Sequence, residues 1–152
     1  MPNSGAQNTQ APVLLLVDDD PADQELTRRL LAKGGRRVEL RVVDDGDAAL
    51  EFVRRQGRYE REARPHLLLL DMNMPKRSGL DVLREIRADR SLSDLVVIVL
   101  STSDAEADIA ASYALGANSY IVKPSGKQAM AHALRQIEEF WFGVAALPAR
   151  RR

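Results

Sequence analysis

Four short apolar runs, each followed by polar residues, constrain the fold of this chain more than any other feature of its sequence. The runs are Val13–Val17, Leu67–Leu70, Leu95–Leu100 and Tyr120–Val122. Aspartates at 18–20 follow the first run and Asp71 follows the second, while Ser101-Thr102 ends the third and Lys123 ends the fourth. If the runs are neighbouring parallel strands, carboxylates, a hydroxyl and an ammonium meet at one edge of a sheet. Such a set suits a hard cation and phosphoryl oxygens.

Segments of helical period separate these runs. The first helix is expected to begin at Asp20-Pro21, where an acceptor N-cap precedes a proline, and to end near Gly34. Capping-box matches at Ser103 and Ser125 predict the starts of the last two helices. The other helices are expected over 47–56 and 78–89, and the second strand of the sheet over 38–43. Five strands alternating with five helices predict a doubly wound α/β sandwich, in which ligands bind outside the carboxyl ends of the strands.

Composition narrows the class of protein. The chain has 152 residues, the size of one domain, and its 22 basic and 22 acidic residues give a formal net charge of zero. Nucleic-acid binders normally carry a basic surplus, so that class is not expected. Cysteine is absent and no apolar run is long enough to span a membrane, which predicts a soluble, cytoplasmic domain. Residues 1–12 are polar and without periodicity, and we expect a disordered tail there.

The acidic residues require a positive partner if they converge. Two unit charges about 4 Å apart repel by roughly 4 kcal/mol at an effective dielectric near 20. Asp18, Asp19 and Asp71 together therefore need a cation or a proton, and Lys123 supplies a single positive charge. A divalent ion with oxygen ligands fits, and Mg²⁺ suits a site of few carboxylates. The alternative is a purely structural cluster of acids.

The loop after the second apolar run identifies a family. Asp71-Met72-Asn73-Met74-Pro75 with Gly79 has the pattern D-x-x-x-P…G, Ser101 follows Asp71 by 30 positions, and Lys123-Pro124 follows it by 52. With the acidic pair after the first run and Tyr120 three residues before the lysine, the chain resembles the receiver domain of bacterial response regulators from Val13 to about Phe142. This resemblance implies a flavodoxin-like (βα)5 fold with strand order 2-1-3-4-5.

The resemblance also implies roles for the acidic residues. Asp71 would be the phosphoacceptor, taking a phosphoryl group from a phosphohistidine on a sensor histidine kinase. Asp19 and Asp71 would bind Mg²⁺, or Mn²⁺ in its place, together with the backbone carbonyl of Asn73. Asp18 would act through metal-bound water. The protein would then be a signalling protein that assists its own phosphorylation and dephosphorylation, rather than an enzyme.

Further roles follow for the residues around the phosphoryl group. Lys123 would pair with Asp71 and then with the phosphoryl group, Ser101 would turn to a phosphoryl oxygen, and Tyr120 would follow it inward. Thr102 stands where many receivers have a smaller residue, and its bulk is expected to gate access. Asn73 and Ser103 would flank the phosphoryl group, and we hypothesise that they set the lifetime of the acyl phosphate.

Details outside the site resemble the stand-alone regulators that pair with phytochromes. They are the long loop after the second helix, Leu-Ser-Thr-Ser after the fourth strand, and the sequence 137–141. The likeness implies a phytochrome-type kinase. The candidate output surface is formed by the fourth helix, fifth strand and fifth helix, because Ser101 and Tyr120 would connect the site to it. A homodimer through that surface would involve Ile121, Phe140, Trp141 and Phe142. We expect a receiver domain over 13–143 and a C-terminal extension over 144–152, with no DNA-binding domain attached.

Other functions remain open at this point. A phosphorelay intermediate would pass the phosphoryl group from Asp71 to a second histidine protein. A phosphatase with Asp71 as transient nucleophile would normally show a D-x-D loop, but Asn73 replaces the second aspartate. A scaffold that is never phosphorylated is the remaining alternative.

Overall fold

The computed structural model describes residues 11–149, and its centre is a sheet of five parallel strands. The sheet order is β2-β1-β3-β4-β5, which confirms the predicted fold. Each strand pairs in parallel with its neighbours, so every strand ends at the same edge. The strands are β1 Val13–Val17, β2 Glu39–Val43, β3 Leu67–Asp71, β4 Val96–Ser101 and β5 Ser119–Val122.

Helices cover both faces of the sheet. They are α1 Pro21–Lys33, α2 Gly46–Arg54, α3 Gly79–Ala88, α4 Glu106–Ala114 and α5 Lys127–Glu139. Short 3-10 turns occupy Gly57–Tyr59 and Arg90–Leu92, and a π-helical turn continues α5 over Phe140–Val144. The predicted start of α1 is confirmed, because the Asp20 side chain accepts a hydrogen bond from the backbone N–H of Ala22. None of the helices described is long and apolar enough to cross a bilayer.

Alternate residues of each central strand enter two separate cores. In the first core, Leu15 and Val17 pack with Phe52 of α2 and Leu83 of α3. In the second core, Leu14 and Leu16 pack under α1 and α5. Successive side chains of a strand point to opposite faces, so an unbroken apolar run serves both cores. The apolar runs of the sequence are thus explained by a sheet buried on both sides.

The predicted capping boxes of the last two helices are wrong. α4 begins at Glu106 after Ala105, and α5 begins at Lys127 after Gly126; neither N-cap side chain makes a capping bond. The Ser103 hydroxyl bonds to the Asp108 carboxylate instead, at 2.5 Å. Gly126 has a φ of +90°, and this left-handed residue delays the start of α5.

Two residues of the predicted N-terminal tail lie in the described part of the chain. Ala11 is buried, and the carbonyl of Pro12 accepts a hydrogen bond from the N–H of Glu39 at 2.8 Å. The bond at Pro12 extends the contact between the chain before β1 and the start of β2. The remainder of the predicted tail, residues 1–10, and the basic residues 150–152 lie outside the described part of the chain.

The end of α5 places the expected dimer residues at different depths. Phe140 is 49% exposed, whereas Trp141, Phe142 and Ile121 are half-buried against the second core. The π-helical turn is closed by a bond from the N–H of Ala145 to the carbonyl of Phe140 at 2.7 Å. A turn of five residues rotates the following side chains relative to an α-helix. Phe142, which an α-helical pattern leaves off the apolar stripe, therefore reaches the core.

Candidate functional site

The polar residues that end the strands lie at one edge of the sheet. Val17 of β1 pairs with Leu70 of β3, and Ser101 at the end of β4 pairs with Val122. Asp18 and Asp71 therefore leave neighbouring strands at the same height, and Lys123 follows β5 two strands away. The structure brings Asp18, Asp19, Asp71 and Lys123 together.

Three carboxylates form the centre of the site. Asp18, Asp19 and Asp71 each offer an oxygen within 4.8 Å of the others, a cluster that could hold a metal ion. Asp18 is 2% exposed and Asp71 6%, whereas Asp19 is exposed. Backbone N–H groups support the two buried carboxylates: Asp20 donates to Asp18 at 2.9 Å and Asn73 to Asp71 at 3.1 Å.

Burial changes the acidity of both inner carboxylates. It raises the pKa of Asp18 from 3.8 to about 6, against the opposing effects of the Asp20 N–H and of Lys123. Burial likewise raises the pKa of Asp71, and the charge of Lys123 acts in the opposite direction. Removing a carboxylate from water disfavours its charged form. A bound divalent cation would favour the ionised forms of both residues.

The loop after β3 is shaped by a close backbone contact at Gly79. A Cβ atom at this position would lie 2.5 Å from the carbonyl oxygen of Asp71 and 2.7 Å from Cα of Met72. The N–H of Gly79 donates to the carbonyl of Met72 at 3.0 Å. Ser78 and Asp81 form a capping box that starts α3 at this glycine. The G of the D-x-x-x-P…G pattern is thus required for the return of the chain against Asp71.

The ammonium of Lys123 has a partner that the sequence did not suggest. It donates to Asp23 at 3.2 Å and lies 3.7 Å from Oδ2 of both Asp18 and Asp71. Burial acts to lower the pKa of Lys123, but the charges of Asp18 and Asp71 and the bond to Asp23 outweigh it and raise that pKa. Asp23 lies in the first turn of α1, one turn after the acidic triplet. Its closeness in sequence to the aspartates at 18–20 is the one sequence feature that indicates that Asp23 lies near the acidic site.

Hydroxyl and amide groups surround the carboxylates. Ser101 is fully buried, and its Oγ accepts a hydrogen bond from the N–H of Ser103 at 3.1 Å. Asn73 and Thr102 are exposed, and the Asn73 amide donates to the Thr102 hydroxyl at 3.4 Å. These two side chains stand at the solvent side of the site, above the buried Asp71.

Tyr120 connects the loop after β4 to β5 and α4. Its hydroxyl donates to the carbonyl of Ser103 at 2.8 Å, and its backbone N–H donates to the hydroxyl of Tyr113 in α4 at 3.1 Å. Its ring is half-buried against the first core. Ser103 in turn bonds to Asp108 of α4, so the loop that holds Ser101 is linked to both α4 and β5.

Comparisons with known proteins agree with this geometry. The family model of the response regulator receiver domain matches residues 14–135. Response regulator Rcp1 of Synechocystis sp. (strain ATCC 27184 / PCC 6803 / Kazusa) is 41% identical over 137 residues, which are 90% of this chain and 93% of Rcp1.

Two solved structures extend the comparison. The phosphorylated cyanobacterial phytochrome response regulator RcpA matches at a TM-score of 0.89 and 40% identity, over 92% of this chain and 100% of RcpA. The Mn²⁺-bound form of Rcp1 matches at a TM-score of 0.87 and 40% identity, over 91% of this chain and 99% of Rcp1.

Proposed function

The chain belongs to the response regulator receiver domain family, and on that premise we propose that it accepts a phosphoryl group on Asp71 from a sensor histidine kinase. The observation that carries the proposal is the setting of Asp71. This carboxylate is 6% exposed, lies beside Asp18 and Asp19, and has the Lys123 ammonium 3.7 Å away. Phosphoryl transfer needs a nucleophile, ligands for a metal ion and a positive charge at one place, and Asp71, its neighbouring carboxylates and Lys123 supply these groups.

The transfer itself uses a carboxylate oxygen of Asp71. This oxygen attacks the phosphorus of a phosphohistidine, the new O–P bond forms as the N–P bond breaks, and the imidazole nitrogen keeps the electron pair. Lys123 is near enough to move onto the phosphoryl oxygens, whose negative charge would replace that of the free carboxylate. The N–H of Asn73, bonded to Asp71, fixes the orientation of the attacking group.

The residues at the site fit the divalent ion that receiver domains bind. Asp19 and Asp71 would hold Mg²⁺ or Mn²⁺ together with the backbone carbonyl of Asn73, and Asp18 would do so through water. The clustering of the three carboxylates and the preference of Mg²⁺ for oxygen donors support this assignment. When bound, the ion neutralises negative charge on the carboxylates and the phosphoryl oxygens.

Phosphorylation would be read out through Ser101 and Tyr120. If the Ser101 hydroxyl turns to a phosphoryl oxygen, it gives up its bond from the N–H of Ser103. Ser103 also carries the bonds to Tyr120 and Asp108, so this change would reach α4 and β5. The surface formed by α4, β5 and α5 is our candidate for the output.

The output surface offers exposed apolar groups for an assembly. Tyr113, Val122 and Phe140 are 49%, 40% and 49% exposed. We propose a homodimer through this surface, with Phe140 in contact and the half-buried Ile121, Trp141 and Phe142 supporting it from beneath. The likeness to RcpA, a cyanobacterial phytochrome response regulator, and to Rcp1 supports a phytochrome-type kinase as the partner. A receiver over 13–143, an extension from 144 and a cytoplasmic location stay predictions.

Three residues around the phosphoryl group, Asn73, Thr102 and Ser103, would set the lifetime of the acyl phosphate. Asn73 and Thr102 are in contact and exposed above Asp71, while Ser103 lies beside the buried Ser101. Thr102 would restrict the approach of water to the phosphorus. Unchanged hydrolysis rates of the acyl phosphate in Asn73→Ala and Ser103→Ala would contradict the assignment of these two residues.

Two other functions use the same acceptor. A phosphorelay intermediate would pass the group to a second histidine protein without a change of the output surface. A phosphatase would turn over many substrate molecules, and Asn73 in place of a second loop aspartate disfavours it. The switch function is favoured by the hydrogen bonds that join Ser101, Ser103 and Tyr120.

The test is phosphorylation by acetyl phosphate in the presence of Mg²⁺, followed by intact mass and light scattering. We expect a single phosphoryl adduct in the unaltered chain and in the control Asp94→Asn, which removes an exposed acid before β4 at the far edge. The adduct should disappear in Asp71→Asn. A coincident rise in mass by light scattering would support a switch acting through assembly.

Other results would redirect the proposal. No adduct in the unaltered chain, with Mg²⁺ still bound, would favour the scaffold. An adduct without any change in assembly, followed by transfer to a histidine protein, would favour the relay. Phosphotransfer from a phytochrome kinase no faster than from an unrelated histidine kinase would contradict the proposed partner.

A further inference from the structure

We propose that Asp23 is a positioning residue of the acidic site, which holds the Lys123 ammonium on the α1 side and so leaves Asp18 and Asp71 available to a divalent cation. The inference rests on the proposed function of the site and adds a residue to it. Asp23 belongs to none of the patterns by which the sequence identifies the site.

The distances place Lys123 with Asp23 rather than with the inner carboxylates. Nζ of Lys123 is 3.2 Å from Oδ2 of Asp23, a hydrogen bond, and 3.7 Å from the nearest oxygens of Asp18 and Asp71, which is outside that range. The contact joins residues 100 positions apart. It connects the first turn of α1 to the loop between β5 and α5.

The charges at the site give this contact a consequence. Three carboxylates, those of Asp18, Asp23 and Asp71, lie within 4 Å of the Lys123 ammonium, and Asp19 adds a fourth negative charge beside Asp18 and Asp71. A divalent cation and the ammonium compete for the oxygens of Asp18 and Asp71. An acceptor outside the three-carboxylate cluster relieves that competition, because it holds the ammonium without occupying the oxygens that face the cation.

Capping of α1 does not account for the contact that Asp23 makes. An acidic residue in the first turn favours the positive end of the helix dipole. Asp20, however, already caps α1 through its bond from the N–H of Ala22, and Pro21 stands at the first helical position. The Asp23 carboxylate bonds across to Lys123. Together with Thr102 and Lys123 it lines an open cleft between α1 and the β5–α5 loop.

The test compares Mg²⁺ binding in matched variants. Amide signals of Asp20 and Asn73 in NMR spectra are suitable reporters, because these N–H groups bond to the inner carboxylates. In Asp23→Asn the ammonium loses its nearest charged acceptor and moves toward Asp18 and Asp71. We expect Mg²⁺ affinity to fall roughly three- to tenfold.

Two controls separate positioning from net charge. Glu25→Gln removes the same charge from the same helix at an exposed position paired with Arg28 and Arg29, and should change the affinity less than about twofold. Asp23→Glu keeps the carboxylate and should restore most of the affinity. Thermal unfolding of each variant verifies that the fold is retained.

The decisive comparison repeats Asp23→Asn in a Lys123→Met background. If Asp23 acts through Lys123, its substitution there should change Mg²⁺ affinity by no more than Glu25→Gln does. An equal loss in both backgrounds, or a loss in Asp23→Asn as small as in Glu25→Gln, would overturn the inference. So would an unaltered chain that does not bind Mg²⁺.

The outcome is independent of phosphorylation. Labelling of Asp71 by acetyl phosphate decides the proposed function, whereas the coupling between Asp23 and Lys123 is measured on the unphosphorylated chain. If Asp23 and Lys123 are coupled but Asp71 is not phosphorylated, Asp23 keeps its positioning role and Asp71 is not a phosphoacceptor. If Asp71 is phosphorylated but Asp23 and Lys123 are not coupled, Asp71 is a phosphoacceptor and Asp23 has no positioning role.

Discussion

Asp18 shows the energetic conflict inside the site. It is nearly inaccessible to water, and burial raises its pKa to about 6. Folding therefore takes up a proton at this carboxyl between pH 3.8 and about 6. The stability that this residue contributes is present below pH 3.8 and is lost as the pH rises through about 6. At neutral pH without a cation, ionised Asp18 destabilises the fold.

Asp18→Asn should therefore stabilise the metal-free protein at pH 7.5 and have little effect at pH 4.5. The gain in the free energy of unfolding at pH 7.5 should be roughly 1 to 3 kcal/mol, because Asn avoids burying the charge and its Oδ1 can still accept from Asp20. Urea unfolding in a chelator at both pH values measures it. Asp19→Asn removes the same charge at an exposed position and should gain less; equal gains at both pH values for Asp18→Asn would contradict the pKa argument.

The sequence predicted the residues that end strands better than those that begin helices. Asp18, Asp71, Ser101 and Lys123 each follow an apolar run, and parallel pairing brings such positions to one edge whatever the lengths of the connections. Asp23 could not be identified in this way. Its partner is 100 positions away, and its place in the first helical turn is equally typical of an acid that favours the helix dipole.

Among the elements, the loop between β3 and α3 depends on the absence of a side chain at Gly79. Gly79→Ala should lower the free energy of unfolding by about 1 to 3 kcal/mol and also weaken Mg²⁺ binding, because the added methyl group pushes on the backbone of Asp71 and Met72. Urea unfolding and an NMR titration with Mg²⁺ measure the two effects.

Gly35→Ala is the control for this change. Gly35 has a φ of +72° but nothing within 4 Å of a Cβ atom, so alanine should destabilise the fold by about 1 kcal/mol through its backbone alone. Mg²⁺ affinity should be unaffected. If both alanine variants left Mg²⁺ binding unchanged, the contact at Gly79 would have no role in shaping the site.

Two neighbouring aromatic residues in the π-helical turn after α5 should have different roles, Trp141 in stability and Phe140 in assembly. Trp141→Ala should lower the free energy of unfolding by roughly 1 to 3 kcal/mol, since its ring packs on the second core. Phe140→Ala should cost less than about 1 kcal/mol, mostly from its edge contact with Trp141 at 5.0 Å between ring centres. Denaturant unfolding compares them, and light scattering detects any loss of assembly in Phe140→Ala; a larger loss of stability in Phe140→Ala would reverse their assignment.

The helix starts show where local patterns fail. Ser103 and Ser125 both precede a Glu or Gln by three positions, yet the structure uses neither as an N-cap. Ser103 is drawn into bonds with Asp108, Tyr120 and Ser101, which come from three different elements. None of these three partners lies within the four-residue pattern, so the pattern contains no information about them.

For the molecule as a whole, parallel strands and two-sided burial of the sheet follow from the alternation of strands and helices. The family resemblance supplied the order 2-1-3-4-5, which alternation alone does not specify. The π-helical turn and the hydrogen bond at Pro12 could not be predicted, because each depends on packing at the margins of the domain. The centre of the fold is thus more predictable than its ends.

Mg²⁺ should stabilise the whole domain through linkage. At ten times its dissociation constant, a ligand that binds the folded state alone raises the free energy of unfolding by about 1.4 kcal/mol. We expect a gain of that size at pH 7.5 and a smaller one at pH 5, where protonation of Asp18 competes with the ion. Thermal or urea unfolding with and without Mg²⁺ measures it, and an equal gain in Asp19→Asn would argue against the acidic cluster as the binding site.

The order in which the strands leave the ribosome has a consequence for the newborn protein. Translation delivers Asp18, Asp19 and Asp71 well before Lys123, and the second face of the sheet stays only partly covered, by α1, until Met130, Leu134 and Ile137 of α5 dock on it. N-terminal parts begin to fold during synthesis. A nascent chain therefore carries Asp18, Asp19 and Asp71 without the ammonium of Lys123 until residue 123 has been added. The acidic cluster has its ammonium in place only after β5 has emerged and paired with β4.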